Sequence, residues 1–181
     1  MVNKNMVDKN IQKIKIFGKI YFEPDNLTKK HNNQSSWKRI AIMMVDGEID
    51  SYYRWFIKKR FNLKLNHPQR GPHVSFINES LKDLSKNNML TQTEIDIKWL
   101  EVKNKWDKKV VDVELDLSIK TNGDYWWFNF IDNENNSLQD IRNELGLSKP
   151  FYGLHMTIGY PPMGICLEHS HYINNLIKKY L

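Results

Sequence analysis

One cysteine, Cys166, in 181 residues leaves no partner for an intrachain disulfide, which sets the chain apart from disulfide-stapled secreted domains and fits a reducing compartment. With no second thiol and no triad pattern near it, Cys166 reads as a spectator rather than a nucleophile. Long hydrophobic runs are missing too, and nothing approaches the roughly 20 apolar residues that span a bilayer. The polar, lysine-bearing start MVNKNMVDKN has no apolar h-region and so does not resemble a secretory signal. A cytoplasmic location is therefore expected, the host cytoplasm if the chain is phage-encoded. No low-complexity tract or linker interrupts the sequence, so residues 1–181 are read as one bilobed domain. Spaced sets of Cys, His and carboxylate are also lacking, and neither a metal nor another cofactor is expected.

What is present is ordinary for a soluble globule: 40% hydrophobic residues with interspersed charge and a formal net charge of +6. That charge suits an anionic partner such as a phosphate ester or nucleic acid, without specifying a reaction. No membrane association and no obligate protein partner is expected.

Two stretches stand out, RGPHVSFIN at 70–78 and FYGLHMTIGY at 151–160. Each is a short apolar run behind Pro and Gly, which predicts a buried strand entered from a tight loop. Side chains alternate along a strand, so His73 and Ser75 share one face against Val74 and Phe76. Likewise His155, Thr157 and Gly159 oppose Leu154, Met156 and Ile158. One His-x-Ser/Thr arises by chance about half a time in this composition and is weak alone. The two histidines, however, are 82 positions apart, and that offset also aligns Arg60 with Arg142, Leu63 with Leu145, Leu65 with Leu147, Pro68 with Pro150, and Gly71 with Gly153. Six identities in sixteen positions against about one by chance mark a duplicated unit.

Along the chain, Lys13 to Glu23 predicts a half-buried strand whose phase breaks near Gly18, where a bulge would fit. Lys38 to Val45 predicts a second strand, Asp46-Gly47 a turn, and 48–61 a helix with the stripe Ile49, Tyr52, Tyr53, Phe56, Ile57 and Phe61. A short helix is expected over 79–86 and an exposed strand over 93–102. Lys108 to Lys120 alternates most cleanly, with Val111, Val113, Leu115, Leu117 and Ile119 inward. The turn 121–124 then leads to a partner strand at 125–131. Ser137 is expected to cap a helix ending at Gly146, and a closing helix should follow from about Glu168 to Tyr180. Each half thus runs strand, strand, helix, His strand, with lobe repeats near 13–77 and 108–159. The expected fold is α+β, a bilobed pseudo-symmetric duplication with antiparallel sheets around a central cleft and helices outside.

Two histidines facing one another can divide labour, one neutral to take a proton and the other charged to give it. Cleaving a phosphodiester beside a 2′-hydroxyl needs such a pair. The hydroxyls of Ser75 and Thr157 would donate to the non-bridging oxygens where charge builds. On PHVSFIN and LHMTIGY the chain resembles the two-histidine (2H) phosphoesterase superfamily, which carries His-x-Ser/Thr-apolar twice in a pseudo-symmetric bilobed fold. That family includes LigT-like RNA 2′,3′-cyclic phosphodiesterases, 2′,5′-oligoadenylate phosphodiesterases, and phage anti-CBASS nucleases that destroy cyclic nucleotide signals. The resemblance implies His73 and His155 as the catalytic pair and Ser75 and Thr157 as phosphate ligands.

Further candidates for substrate binding are Arg70 as a phosphate clamp, and Tyr152 and Tyr160 flanking the second motif. Trp126 and Trp127 lie on opposite faces of one strand, so that one face is core and the other could stack a base. His67 lacks a repeat partner and is read as a loop residue, His31 lies in a polar loop and is given no role, and His169 and His171, two apart at the start of a helix and so poorly spaced for a metal, are read as solvated. Arg60 and Arg142 are expected to serve helix capping or surface pairing. The function expected is a metal-independent hydrolase of phosphoric diesters, acting on RNA-like, 2′,5′-linked or cyclic oligonucleotides or on 2′,3′-cyclic phosphates. The alternative is a non-catalytic nucleotide- or RNA-binding module on the same fold.

Overall fold

A computed structural model describes residues 13–24, 40–68, 70–78, 91–122, 125–130, 137–150 and 153–162. In chain order its elements are β1 (Lys13–Phe22), β2 (Ala41–Val45), α1 (Ile49–Phe61), β3 (His73–Ile77), α2 (Gln92–Trp106), β4 (Val110–Thr121), β5 (Trp126–Phe130), α3 (Ser137–Glu144) and β6 (His155–Gly159). The six strands form a closed barrel in the order β1-β2-β3-β6-β5-β4, with every pairing antiparallel. This corrects the expected bilobed α+β fold with sheets set around an open cleft. The reason lies at the strand edges. Each half supplies three consecutive strands, and a free three-stranded sheet would expose the unpaired backbone of its first and last strands. Pairing β1 with β4 and β3 with β6 removes all four edges at once.

The two joins are unequal. β1 and β4 run together from Lys13↔Asp116 to Lys19↔Val110, whereas β3 meets β6 through the single pair Val74↔Met156. One sheet face is apolar: Ile16, Ile20, Phe22, Met43, Val45, Val74, Phe76, Val111, Val113, Leu115 and Met156 are buried in one cluster with Ile57 of α1, Ile95, Trp99 and Val102 of α2, and Leu138 and Ile141 of α3. Trp99 meets Phe22 edge-on at 5.1 Å between ring centroids. By alternation, His73, Ser75, His155 and Thr157 lie on the opposite face.

Gly18 is not a bulge. It pairs in continuous register with Val45 and Val111 and keeps the inward phase without a side chain, because a Cβ there would come within 2.5 Å of Met44 O. The largest local correction falls on 93–102, which is the middle of helix α2 and not a strand. Thr91 caps it in a reciprocal box, its Oγ1 accepting from Glu94 N at 3.3 Å while Thr91 N donates to Glu94 Oε2 at 2.7 Å. Ile95, Trp99 and Val102 are buried at helical spacing, whereas Ile97 and Leu100 are more than half exposed; the misleading alternation comes from Ile97, two residues after Ile95. Ser137 lies inside α3 as its first residue and does not precede it. On α1, Ile57 is buried as expected, Tyr52 is exposed, and Asp50 is buried in place of an apolar residue. No described helix is long and apolar enough to cross a membrane. The segment 79–86, the closing helix near 168–180, His31, Cys166, His169 and His171 lie outside the described residues.

Candidate active site

Both histidines are delivered by the same local device. Gly71 N donates to Pro68 O and Gly153 N to Pro150 O, each at 2.9 Å, closing a tight turn whose glycine has φ +72° or +68°. That left-handed conformation is open to glycine at little cost. The carbonyl of each glycine then meets the ring two residues on: His73 Nδ1 lies 2.9 Å from Gly71 O, and His155 Nδ1 lies 3.2 Å from Gly153 O. A carbonyl only accepts, so Nδ1 carries the proton in both rings and Nε2 is left for chemistry. The alignment at 82 residues thus extends from letters to turn, backbone angle and tether. Leu63 and Leu65, and their counterparts Leu145 and Leu147, are all buried behind the turns.

The strands cross at Val74↔Met156. Carried one residue to each side, that antiparallel register sets His73 across from Thr157 and Ser75 across from His155. The imidazoles occupy one diagonal of this square and the hydroxyls the other, and such a diagonal spans roughly 7–8 Å. His73 and His155 are half-buried, as is Thr157, while Ser75 is exposed. Burial pushes the His73 imidazole below its ordinary value; the bond to Gly71 opposes this, and the charges of Arg70 and His155 add to the lowering. His73 is therefore a neutral base near pH 7, within electrostatic reach of its partner ring. Met44 of β2 stands in register with His73 and supplies apolar surface that the sequence reading did not assign to the site.

Other candidates are distributed unevenly. Arg70 is half-buried beside His73, and burial lowers its guanidinium pKa. Trp127 is half-buried in register with Thr157, its ring centroid 6.4 Å from that of His155. Trp126 is buried to 1% exposure against Phe61, so of the two tryptophans it is the one given to the core. Tyr160 pairs with Asn66 through the backbone and packs near Tyr125, with 6.3 Å between ring centroids. Tyr152 lies outside the described residues. His67 is exposed.

Arg142 does not serve capping or surface pairing. It is 2% exposed, with Nη1 donating to Phe76 O at 2.6 Å and Nε to Ser148 O at 2.9 Å. Sequence reasoning also missed Arg54, which pairs with Asp50 and reaches Ile158 O at 3.1 Å. Their i,i+4 spacing was the available signal. Among the described residues, no group of three or more His, Cys, Asp or Glu is placed to hold a metal ion.

Comparison with family models, with curated proteins and with solved structures finds no match for this chain.

Proposed function

We propose that the chain is a phosphodiesterase that works by paired histidine acid-base catalysis on RNA-like or cyclic nucleotide substrates carrying a ribose hydroxyl beside the phosphodiester or a 2′,3′-cyclic phosphate. The observation that carries the reading is the square at the β3/β6 crossing, with two tethered imidazoles on one diagonal and two hydroxyls on the other. His73 Nε2 takes the proton from the attacking oxygen, which in transesterification is the free ribose hydroxyl beside the phosphodiester (2′ in a 3′,5′ linkage, 3′ in a 2′,5′ linkage) and in opening a cyclic phosphate is water. His155 Nε2 gives one to the leaving oxygen. Ser75 and Thr157 donate to the non-bridging oxygens, where charge grows in the transition state, and Arg70 supplies a cation on the His73 side. Trp127 offers an aromatic edge for a nucleobase. The reading draws on the 2H resemblance of the two motifs and does not depend on that family's bilobed architecture.

The test is a panel of 2′,3′-cyclic nucleotides, 2′,5′-linked oligoadenylate and cyclic dinucleotides, assayed for new products with and without EDTA. Turnover is expected to survive EDTA, to be nearly abolished in His73→Ala and His155→Ala, and to fall roughly a hundredfold in Ser75→Ala or Thr157→Ala, the worth of one oxyanion donor. The rate should be bell-shaped in pH. Strong metal dependence, or tight binding with no product across the panel, would sink the reading, the second outcome in favour of a binding module.

A further inference from the structure

The helix of each half of the repeat reaches the histidine strand of the other half through an arginine. Arg54 of α1 donates from Nη1 to Ile158 O of β6 at 3.1 Å, and Arg142 of α3 donates from Nη1 to Phe76 O of β3 at 2.6 Å. The acceptors are equivalent in the repeat: Phe76 stands three residues beyond His73, and Ile158 three beyond His155. The donors are not. The counterpart of Arg142 is Arg60, which is exposed, while Arg54 comes more than a turn earlier on its helix. The two halves thus make the same bond from different places, which inheritance from a shared ancestor does not explain and a common requirement does.

Both acceptors lie two residues beyond the lone pair Val74↔Met156, at opposite ends of the short join that also sets the spacing of the histidines. Arg142 is buried and Arg54 half-buried, and both are held on their far side. Arg54, with its side chain 11% exposed, is gripped by Asp50, 2% exposed, and bonds Ser51 Oγ at 3.0 Å. Arg142 is fixed on Ser148 O through Nε and Nη2. A guanidinium offers a rigid planar fork, so two anchored ends dictate where the third donor points. The stem of Arg54 also crosses beside Gly159, where a Cβ would lie 3.3 Å from its Cδ.

We propose that Arg54 and Arg142 are positioning residues that brace β6 and β3 from opposite ends and so fix the separation of His73 and His155, a proposal that rests on the two-histidine reading of the site. The rival explanation is that both arginines serve stability alone.

Two full-length variants separate these. In Asp50→Leu/Arg54→Met the whole ion pair is replaced by apolar side chains, so no lone charge is left buried. Arg142→Lys keeps the charge and loses the fork. Each is followed by NMR titration of the His73 and His155 ring protons, assigned with His73→Gln and His155→Gln, alongside melting and turnover of a 2′,3′-cyclic nucleotide. Burial is the main influence on the His73 ring, and the charges of Arg70 and His155 add to the lowering, so its titration responds in direction to a change in the spacing of the two rings. The expected result is a double variant that melts close to the parent, with the His73 midpoint moved up as the rings separate and the charge of His155 presses on it less. Its kcat should fall roughly a hundredfold with KM little changed, the penalty for a misplacement on the order of 1 Å. Arg142→Lys should shift the same midpoint in the same direction. A double variant with parental titration and parental kcat overturns the proposal, as does unfolding of both variants, which would assign the arginines to stability. A parent chain without turnover would strike the proposed reaction, while the titration still decides whether the brace exists.

Discussion

Gly71 and Gly153 show how little side chain the catalytic geometry requires behind it. A Cβ at Gly153 would meet nothing within 4 Å, and one at Gly71 only the Met44 methyl at 3.8 Å, so space does not demand glycine at either position. Positive φ does. Gly153→Ala is therefore expected to cost about 1 kcal/mol through backbone strain alone, read as a lowered denaturation midpoint with an unchanged slope. The same substitution should weaken the carbonyl tether and lower turnover by more than its effect on stability implies. If Gly153→Ala leaves both midpoint and turnover untouched, the turn does not position the ring.

His73 makes a second residue-scale prediction. Its imidazole is pushed below the ordinary value chiefly by burial, so the folded state binds this proton less readily than the unfolded chain does. Above about pH 6.5, the ordinary imidazole value, the ring is neutral in both states and contributes no pH dependence. As pH falls from there toward the lowered folded value, the unfolded chain protonates first and stability is lost. His73→Gln should flatten that loss across mildly acid pH in a series of thermal melts. An unchanged slope would mean that the ring is solvated.

At the scale of elements, the strands were largely legible and helix α2 was not. β4 announced itself because five apolar residues alternate with charge and one sheet face is buried, so periodicity and environment agree. The two His strands were legible for the same reason, strengthened by the repeat. In α2 the buried set Ile95, Trp99 and Val102 is sparse, and exposed Ile97, midway between Ile95 and Trp99, creates a period of two that packing does not use, with Leu100 exposed as well. The stronger signal was chemical: Thr91 with Glu94 three residues later is a capping box. Thr91→Ala is expected to cost about 1 kcal/mol and to fray the first turn, seen as loss of amide-exchange protection over residues 92–96 with the rest of the helix unaffected. Uniform loss along α2 would point instead to its packing on Phe22. The two bracing arginines escaped the sequence for another reason. Arg142 is buried and Arg54 half-buried because carbonyls on distant strands take their donors, and no local pattern encodes that need.

Over the whole molecule the illegible part was closure. Sequence identifies two similar halves, and two halves invite two lobes; nothing in a window of ten residues says that β1 pairs with β4 or β3 with β6. Those contacts join segments about a hundred residues apart in the first case and 82 in the second, and they arise from the cost of leaving four edges unpaired. Closure has a consequence for cooperativity. α1 belongs to the first half by sequence yet its Arg54 ends on β6, and α3 belongs to the second yet its Arg142 ends on β3; neither histidine strand is held wholly by its own half. Removing order from one half therefore unseats a strand of the other, and the apolar cluster draws residues from both. Unfolding should be all-or-none. Far-ultraviolet circular dichroism, which follows the sheet as a whole, and the ring protons of His73 and His155, which follow one half each, should give coincident denaturant midpoints. Two separated midpoints would show halves that unfold on their own, and a join at Val74↔Met156 too weak to hold two imidazoles at a fixed distance.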